Sequence, residues 1–405
     1  MTTVGEAPPS PGKGTAGEVL LIYLKLGLTC FGGPIAHIGY FREEFVVRRR
    51  WLDEQAFADL VALCQFLPGP ASSQTGFAIG LMRAGYLGGL AAWTAFTLPS
   101  AIALVLFADG VGSLGGVIGT SLLHGLQLVA VAIVAQAVWG MARSLSPDRE
   151  RASISAVAAL IILFSPSSLA QITAILLGGL TGLLLCRGAP PVASGHVTMP
   201  VSRSAGIAAL AAFAVLLVGL LLVQGRLSTG LDLFAAFYRS GALVFGGGHV
   251  VLPLLREAFV APGWVGDDAF LAGYGAAQAV PGPLFTFAAY LGAVAHATPN
   301  GLTGAIVGLV GIFLPGILVL IGTLPFWDAL RTRLGVQAAM RGINAAVVGI
   351  LAAALYDPVW TSSVKTSGDF AIALIGFVLL VAWRAPPLVV VVTGALGGVA
   401  LALIS

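Results

Sequence analysis

Five stretches of this chain, residues 86–108, 119–142, 205–223, 303–322 and 386–404, contain no Asp, Glu, Lys or Arg. Each is close to the roughly 20 residues that span the hydrocarbon core of a bilayer. The charge balance decides between a membrane protein and a large soluble core. Charged residues are 9% of the 405-residue chain and hydrophobic ones 58%, whereas a soluble domain carries about 25% charged residues. A surface so poor in charge cannot face water all round. The runs are continuously apolar rather than alternating, which argues against a β-barrel. The expected fold class is therefore an all-α polytopic membrane protein.

Proline breaks helices, yet Pro-Gly-Pro occurs twice in apolar surroundings, in "LCQFLPGPASSQ" (63–74) and "AAQAVPGPLFTF" (276–287). The coincidence extends outward. At an offset of 214, "FGGPIAHIGYFREEF" (31–45) aligns with "FGGGHVVLPLLREAF" (245–259), matching Phe31, Gly32, Gly33, Arg42, Glu43 and Phe45. At an offset of 213, Trp51, Phe57, Gln65, Pro68, Gly69 and Pro70 match Trp264, Phe270, Gln278, Pro281, Gly282 and Pro283. Further on, "TLPS" (97–100) parallels "FLPG" (313–316). Matches in constant order and near-constant spacing indicate an internal duplication. The expected organisation is a disordered Pro/Gly-rich tail at 1–17, a first repeat at 18–187, a linker with an extra transmembrane helix at 188–230, and a second repeat at 231–405.

Arg and Lys gather on cytoplasmic loops, so their positions give the orientation of each half. In the first half Arg48, Arg49 and Arg50 precede Pro-Gly-Pro, Arg83 follows it, and Arg143, Arg149 and Arg151 lie between later helices. The corresponding second-half loops, 260–268, 296–301 and 357–368, contain only Lys365. The reverse holds at 110–118, which has no basic residue while its counterpart carries Arg331, Arg333 and Arg341. Two inverted-topology repeats follow, with the helix at 205–224 supplying the flip. Inverted repeats with broken helices characterise secondary transporters, whose site lies near the midplane at the repeat interface. The limbs at 54–67 and 71–83 are each about 20 Å long at 1.5 Å per residue. That is too short to cross, so each Pro-Gly-Pro is expected at the tip of a re-entrant hairpin. A full crossing by one kinked helix would put Arg48–Arg50 and Arg83 on opposite sides.

Several residues then become candidates for chemistry. Lys25 and Arg239 occupy equivalent mid-helix points, each six residues before Phe-Gly-Gly. A cation near the bilayer centre is costly and by default marks function; a structural ion pair is the competing reading. Helices restarting at Pro70 and Pro283 would aim free N–H groups inward, and such N-termini bind anions. Gly32, Gly33, Gly246, Gly247, Gly69 and Gly282 mark the breaks, and Ser72, Ser73, Thr286, Gln65 and Gln278 are additional donors. Arg42 and Arg256 are anion-binding candidates, with interfacial salt bridges as the alternative. Glu43 and Glu257 are candidates for carrying protons, as are His37 and His249, whose ordinary role would be packing. Two buried cations and two helix N-termini suit a dianion better than chloride. The helix at 205–224 is also a candidate contact for a homodimer.

Enzyme readings find no support. The chain has no G-x-S-x-G, no H-E-x-x-H, no P-loop and no metal-spaced His/Cys set. Cys30, Cys64 and Cys186 are expected as inert core residues. No cofactor and no nucleic-acid partner is expected.

Together "FGGPIAHIGYFREEFVVRRRWLDEQAF", "LCQFLPGPASSQ", "FGGGHVVLPLLREAFV" and "AQAVPGPLFTFAAYLG" resemble the chromate ion transporter family in its long two-domain form. The resemblance covers about 18–400. It implies export of chromate from the bacterial cytoplasm through the inner membrane, driven by the proton motive force, with sulfate as an isosteric analogue. Its carriers are Gly32, Gly33, Pro34, His37, Arg42, Glu43, Trp51, Gln65 and Pro68–Pro70, then Gly246–Gly248, Arg256, Glu257, Trp264, Gln278 and Pro281–Pro283.

Overall fold

The computed structural model describes residues 14–31, 33–111, 116–165, 168–186, 200–223, 229–245, 248–331 and 333–404. Among the described residues every regular element is helical, as the continuous apolar runs require. α1 (Ala16–Thr29) opens on Thr15, whose hydroxyl accepts from the Glu18 amide, and ends where Cys30 turns extended. α2 (Gly33–Arg42) starts at Gly33, held at φ +76°, and runs on as a π-helical turn to Arg48. α3 (Glu54–Phe66) is capped by the Asp53 carboxylate, which accepts from the Ala56 amide at 2.7 Å. It stops at Pro68-Gly69-Pro70. α4 (Ala71–Val111) is two helices, because Ala84 and Gly85 leave helical geometry. The break therefore falls where the sequence puts the end of the 71–83 limb. α5 (Gly116–Leu145), α6 (Arg149–Phe164) and α7 (Ser168–Leu185) complete the first half.

α8 (Arg203–Val223) is the extra helix. It lies against the rest through Gly206, which faces Gly322 and Pro325, while Gly219 faces open space. The second half repeats the pattern in α9 (Thr229–Ala242), α10 (Val251–Phe259), α11 (Asp267–Ala277) and α12 (Phe287–Val294). A 3-10 turn at Leu284–Thr286 leads into α12. α13 (Gly301–Thr323), α14 (Trp327–Arg331), α15 (Leu334–Ala354), α16 (Thr361–Ser363), α17 (Ser367–Val381) and α18 (Pro387–Ile404) follow. Among the described residues, five helical stretches are long and apolar enough to cross a membrane: 71–110, 119–145, 203–223, 301–326 and 334–363. The last was not an uninterrupted apolar run, because Gln337, Arg341 and Asn344 punctuate it.

The halves complete one another. α5 of the first half packs on α17 and α18 of the second, and α15 of the second packs on α6 and α7 of the first. At these crossings Gly125 meets Gly394 and Gly398, while its counterpart Gly342 meets Gly178 and Gly182. Gly178/Gly182 and Gly394/Gly398 are small-xxx-small pairs, which let helix backbones touch in a bilayer. A Cβ on Gly342 would overlap the Gly178 carbonyl oxygen, and one on Gly125 the Gly394 carbonyl oxygen. Reciprocal contacts of this kind are what a two-fold relation between like surfaces produces. A polar tie joins the halves as well: His124 on α5 lies 2.7 Å from the Asp369 carboxylate, and Gln127 donates to Asp268 at 3.1 Å.

Candidate functional site

The helix breaks of both halves meet in the interior. The Gly69 amide donates to the Val244 carbonyl at 2.8 Å, and the Gly282 amide donates to the Cys30 carbonyl at 2.9 Å. Val244 and Cys30 are equivalent, each immediately preceding Phe-Gly-Gly. Each Pro-Gly-Pro tip is thus tied to the other half's break. The backbone there requires glycine, with φ +118° at Gly69 and +99° at Gly282. The space requires it too. A Cβ on Gly69 would stand 2.9 Å from the Gly316 Cα, and one on Gly282 2.9 Å from Ser100 Oγ. The amides of these two candidate glycines are spent on the opposite half, so any anion donors are those of the helices that restart after them.

The donors that remain lie beyond Pro70. Ser72, Ser73, Gln74 and Thr75 open the helix at 71–83, and all are buried. Gln74 Nε2 donates to the Pro68 and Gly316 carbonyls at 2.9 Å each. His37 on α2 places Nδ1 3.4 Å from Ser72 Oγ, and its ring packs edge-on against Phe96. Ser73 Oγ, Thr97 Oγ1 and His37 Nε2 are buried without a hydrogen-bond partner. In the second half Thr286 Oγ1 donates to the Pro283 carbonyl at 2.7 Å, and His249 Nδ1 lies 2.6 Å from the Tyr274 hydroxyl. Gln278 keeps an unpartnered Nε2, whereas Gln65 is exposed. Gly32, Gly246 and Gly247 lie outside the described residues.

The charged candidates stand apart from this centre. Lys25 is exposed on α1 rather than buried, because α1 turns Val19, Ile22, Tyr23 and Leu26 inward and Lys25 falls on the other side. Arg239 is half-buried and lines a small cavity with Gln171, Ser240, Leu254 and Glu257. α9 carries Asp232 in its first turn but no Asp or Glu within a turn of Arg239, and the carboxylate that shares the Arg239 cavity comes from α10. Arg42 pairs with Glu54 at 2.6 Å and Arg256 with Asp267 at 2.9 Å. These pairs are equivalent, and each fastens the helix after Phe-Gly-Gly to the helix that precedes Pro-Gly-Pro. Glu43 is exposed. Arg49 and Arg83 both lie over the Trp51 ring, 5.8 and 4.7 Å from its centroid, so the segment before α3 and the end of the helix at 71–83 meet beside one indole. In the second half the His296 amide, just past α12, donates to the Trp264 carbonyl at 2.9 Å.

The sequence profile described as Chromate transporter matches residues 17–183 and again 231–399. The chain belongs to the chromate transporter family. A chromate transport protein of Pseudomonas aeruginosa is 32% identical over 386 residues, covering 93% of this chain and 89% of that protein. A probable chromate transport protein of Synechococcus elongatus is 26% identical over 387 residues, 93% of each chain. One from Cupriavidus metallidurans, a chromate transport protein, is 25% identical over 363 residues, covering 87% of this chain and 85% of its own. No solved structure matches the chain.

Two features of this chromate transporter family member escaped the sequence reading. Glu44, next to the repeated Glu43, is buried and holds Arg48 and Arg49, each at 2.6 Å. Thr97 and Gln74 also face inward. None of the three recurs in the second half, so a search for repeated residues passes over them.

Proposed function

We propose that this chain is a secondary transporter that exports a chromate-type tetrahedral oxyanion across the bacterial inner membrane, coupled to protons. Its halves are inverted repeats, and its Pro-Gly-Pro units are the tips of hairpins that re-enter from opposite faces. The observation that carries this reading is the pair of reciprocal bonds, Gly69 to Val244 and Gly282 to Cys30. They draw four helix breaks from two halves into one buried place, where irregular backbone is tolerated only if protein or a cavity covers it. Arg49 and Arg83 over one indole support entry and exit of the first hairpin on one side. Lys25 and Arg239 act through their field, attracting the anion, rather than by contact. Glu257, which shares a cavity with Arg239, is the proton carrier of the second half, with Glu43 its counterpart in the first.

Reconstitution in proteoliposomes tests the proposal. Chromate flux should exceed that of empty liposomes, rise under an imposed pH gradient, and fall in competition with sulfate but not with equal chloride. Glu257→Gln should lose the response to the gradient. Flux no greater than in empty liposomes, or equal inhibition by chloride, would overturn the substrate assignment.

A further inference from the structure

Building on the transport reading, we infer that the chain binds its oxyanion at a single subsite on the first Pro-Gly-Pro tip, formed by Ser72, Ser73, Thr97 and His37, and that the second tip is a scaffold without a matching site. The duplication supplies two tips, yet their chemistry differs. Ala71, Ser72, Ser73, Gln74 and Thr75 correspond at an offset of 213 to Leu284, Phe285, Thr286, Phe287 and Ala288. Thr97 and Ser100 correspond to Phe313 and Gly316, and His37 to Val251. Only Thr286 keeps a hydroxyl, and that hydroxyl is fully buried and donated to Pro283.

On the first tip the balance is opposite. Ser73, Thr97 and His37 are at most 5% exposed, and Ser73 Oγ, Thr97 Oγ1 and His37 Nε2 each lack a partner. Buried polar atoms are rarely left unpaired, since each then carries its full desolvation cost. His37 meets the first turn of the helix at 71–83 at Ser72 and packs on Phe96, the neighbour of Thr97. Ser73 lies in the same turn, and the first bonded amide of that helix is that of Gln74, to the Pro70 carbonyl. The amides before it belong to the first turn, which has no intrahelical acceptors. The positive end of the helix dipole favours an anion there over a cation. The His37–Ser72 pair contributes one donor in either tautomer. If Ser72 donates to Nδ1, Nε2 carries a free N–H; if Nδ1 donates to Ser72, the hydroxyl hydrogen is free. An oxyanion with acceptors on four corners matches the hydroxyl, amide and imidazole donors left without protein partners here. Neither Lys25, exposed on α1, nor Arg239, beside Glu257, belongs to the set.

Equilibrium binding of labelled sulfate and of chromate to the purified full-length protein tests this inference. One anion should bind per chain. Ser73→Ala and Thr97→Val should each weaken binding about tenfold or more, the scale of one hydrogen bond to a charged group. Thr97→Ser should restore it. Neither variant should lower the thermal unfolding midpoint, because each removes a group that lacks a partner in the protein. Two anions per chain, or unaltered binding in both variants, would overturn the single subsite even if chromate is transported. Sulfate binding lost in both variants would support the subsite even if chromate does not bind, in which case the substrate assignment alone falls.

Discussion

Valine in place of Gly69 or Gly282 is expected to abolish chromate transport. Both positions combine a φ near +100° with a packed surround, at +118° and +99°. Backbone strain of this kind costs about 1–3 kcal/mol per residue. The added Cβ has nowhere to go, meeting Gly316 Cα and Gln74 Nε2 at one tip and Ser100 Oγ and the Phe96 carbonyl at the other. Relief requires the tip to withdraw, and withdrawal breaks the amide bond to the opposite half. Because the two joints are reciprocal, damage to either separates the same pair of halves. Flux per folded protein, measured in proteoliposomes after size-exclusion chromatography, should fall by about tenfold or more, as a barrier increase above 1.4 kcal/mol implies. A variant that keeps half its flux would show that the cross-half joint is dispensable.

The second large effect is expected at the helix crossings. Gly342→Leu drives a side chain into the backbone of Gly178 and Gly182, and Gly125→Leu does the same to Gly394 and Gly398. Overpacking a core commonly costs about 1–3 kcal/mol, and here the atoms met are main chain, which cannot rotate aside. Both variants should lose much of their thermal unfolding midpoint in detergent, with Gly342→Ala intermediate. Gly219→Leu, on α8 and facing open space, should leave the midpoint unchanged. Equal midpoints for Gly342→Leu and Gly219→Leu would contradict the exchange of helices between halves.

How much of this was legible in the sequence depends on what the two halves share. The breaks at Gly33, Pro68–Pro70 and Pro281–Pro283 follow from local backbone chemistry, so the sequence located them within a few residues. Arg42 and Arg256 were visible as repeated charges, although the sequence left their role between anion binding and ion pairing and did not point to Glu54 and Asp267 as their partners. The orientation of Lys25 was not readable, because α1 is apolar on nearly every face and shows no stripe to say which side turns inward. Comparison of the halves also hid what differs between them. Glu44 faces Ala258 in the alignment, and Gln74 and Thr97 face Phe287 and Phe313, so residues that carry charge or donors in one half drop out of a list of matches. The exchange of the last helix pairs depends on glycines more than 150 residues apart, in runs whose local pattern says only that they are apolar.

The central claim is that the two hairpins enter from opposite faces and meet in the middle. Cysteine labelling in intact cells tests it most directly, because the native Cys30, Cys64 and Cys186 are all buried. Gln55→Cys at the start of the first hairpin and Ala261→Cys just before the second are both exposed positions. A membrane-impermeant thiol reagent applied from outside should label Ala261→Cys and leave Gln55→Cys untouched until the membrane is opened. Labelling of both from the same face would contradict the inverted arrangement and the meeting of the two tips that depends on it.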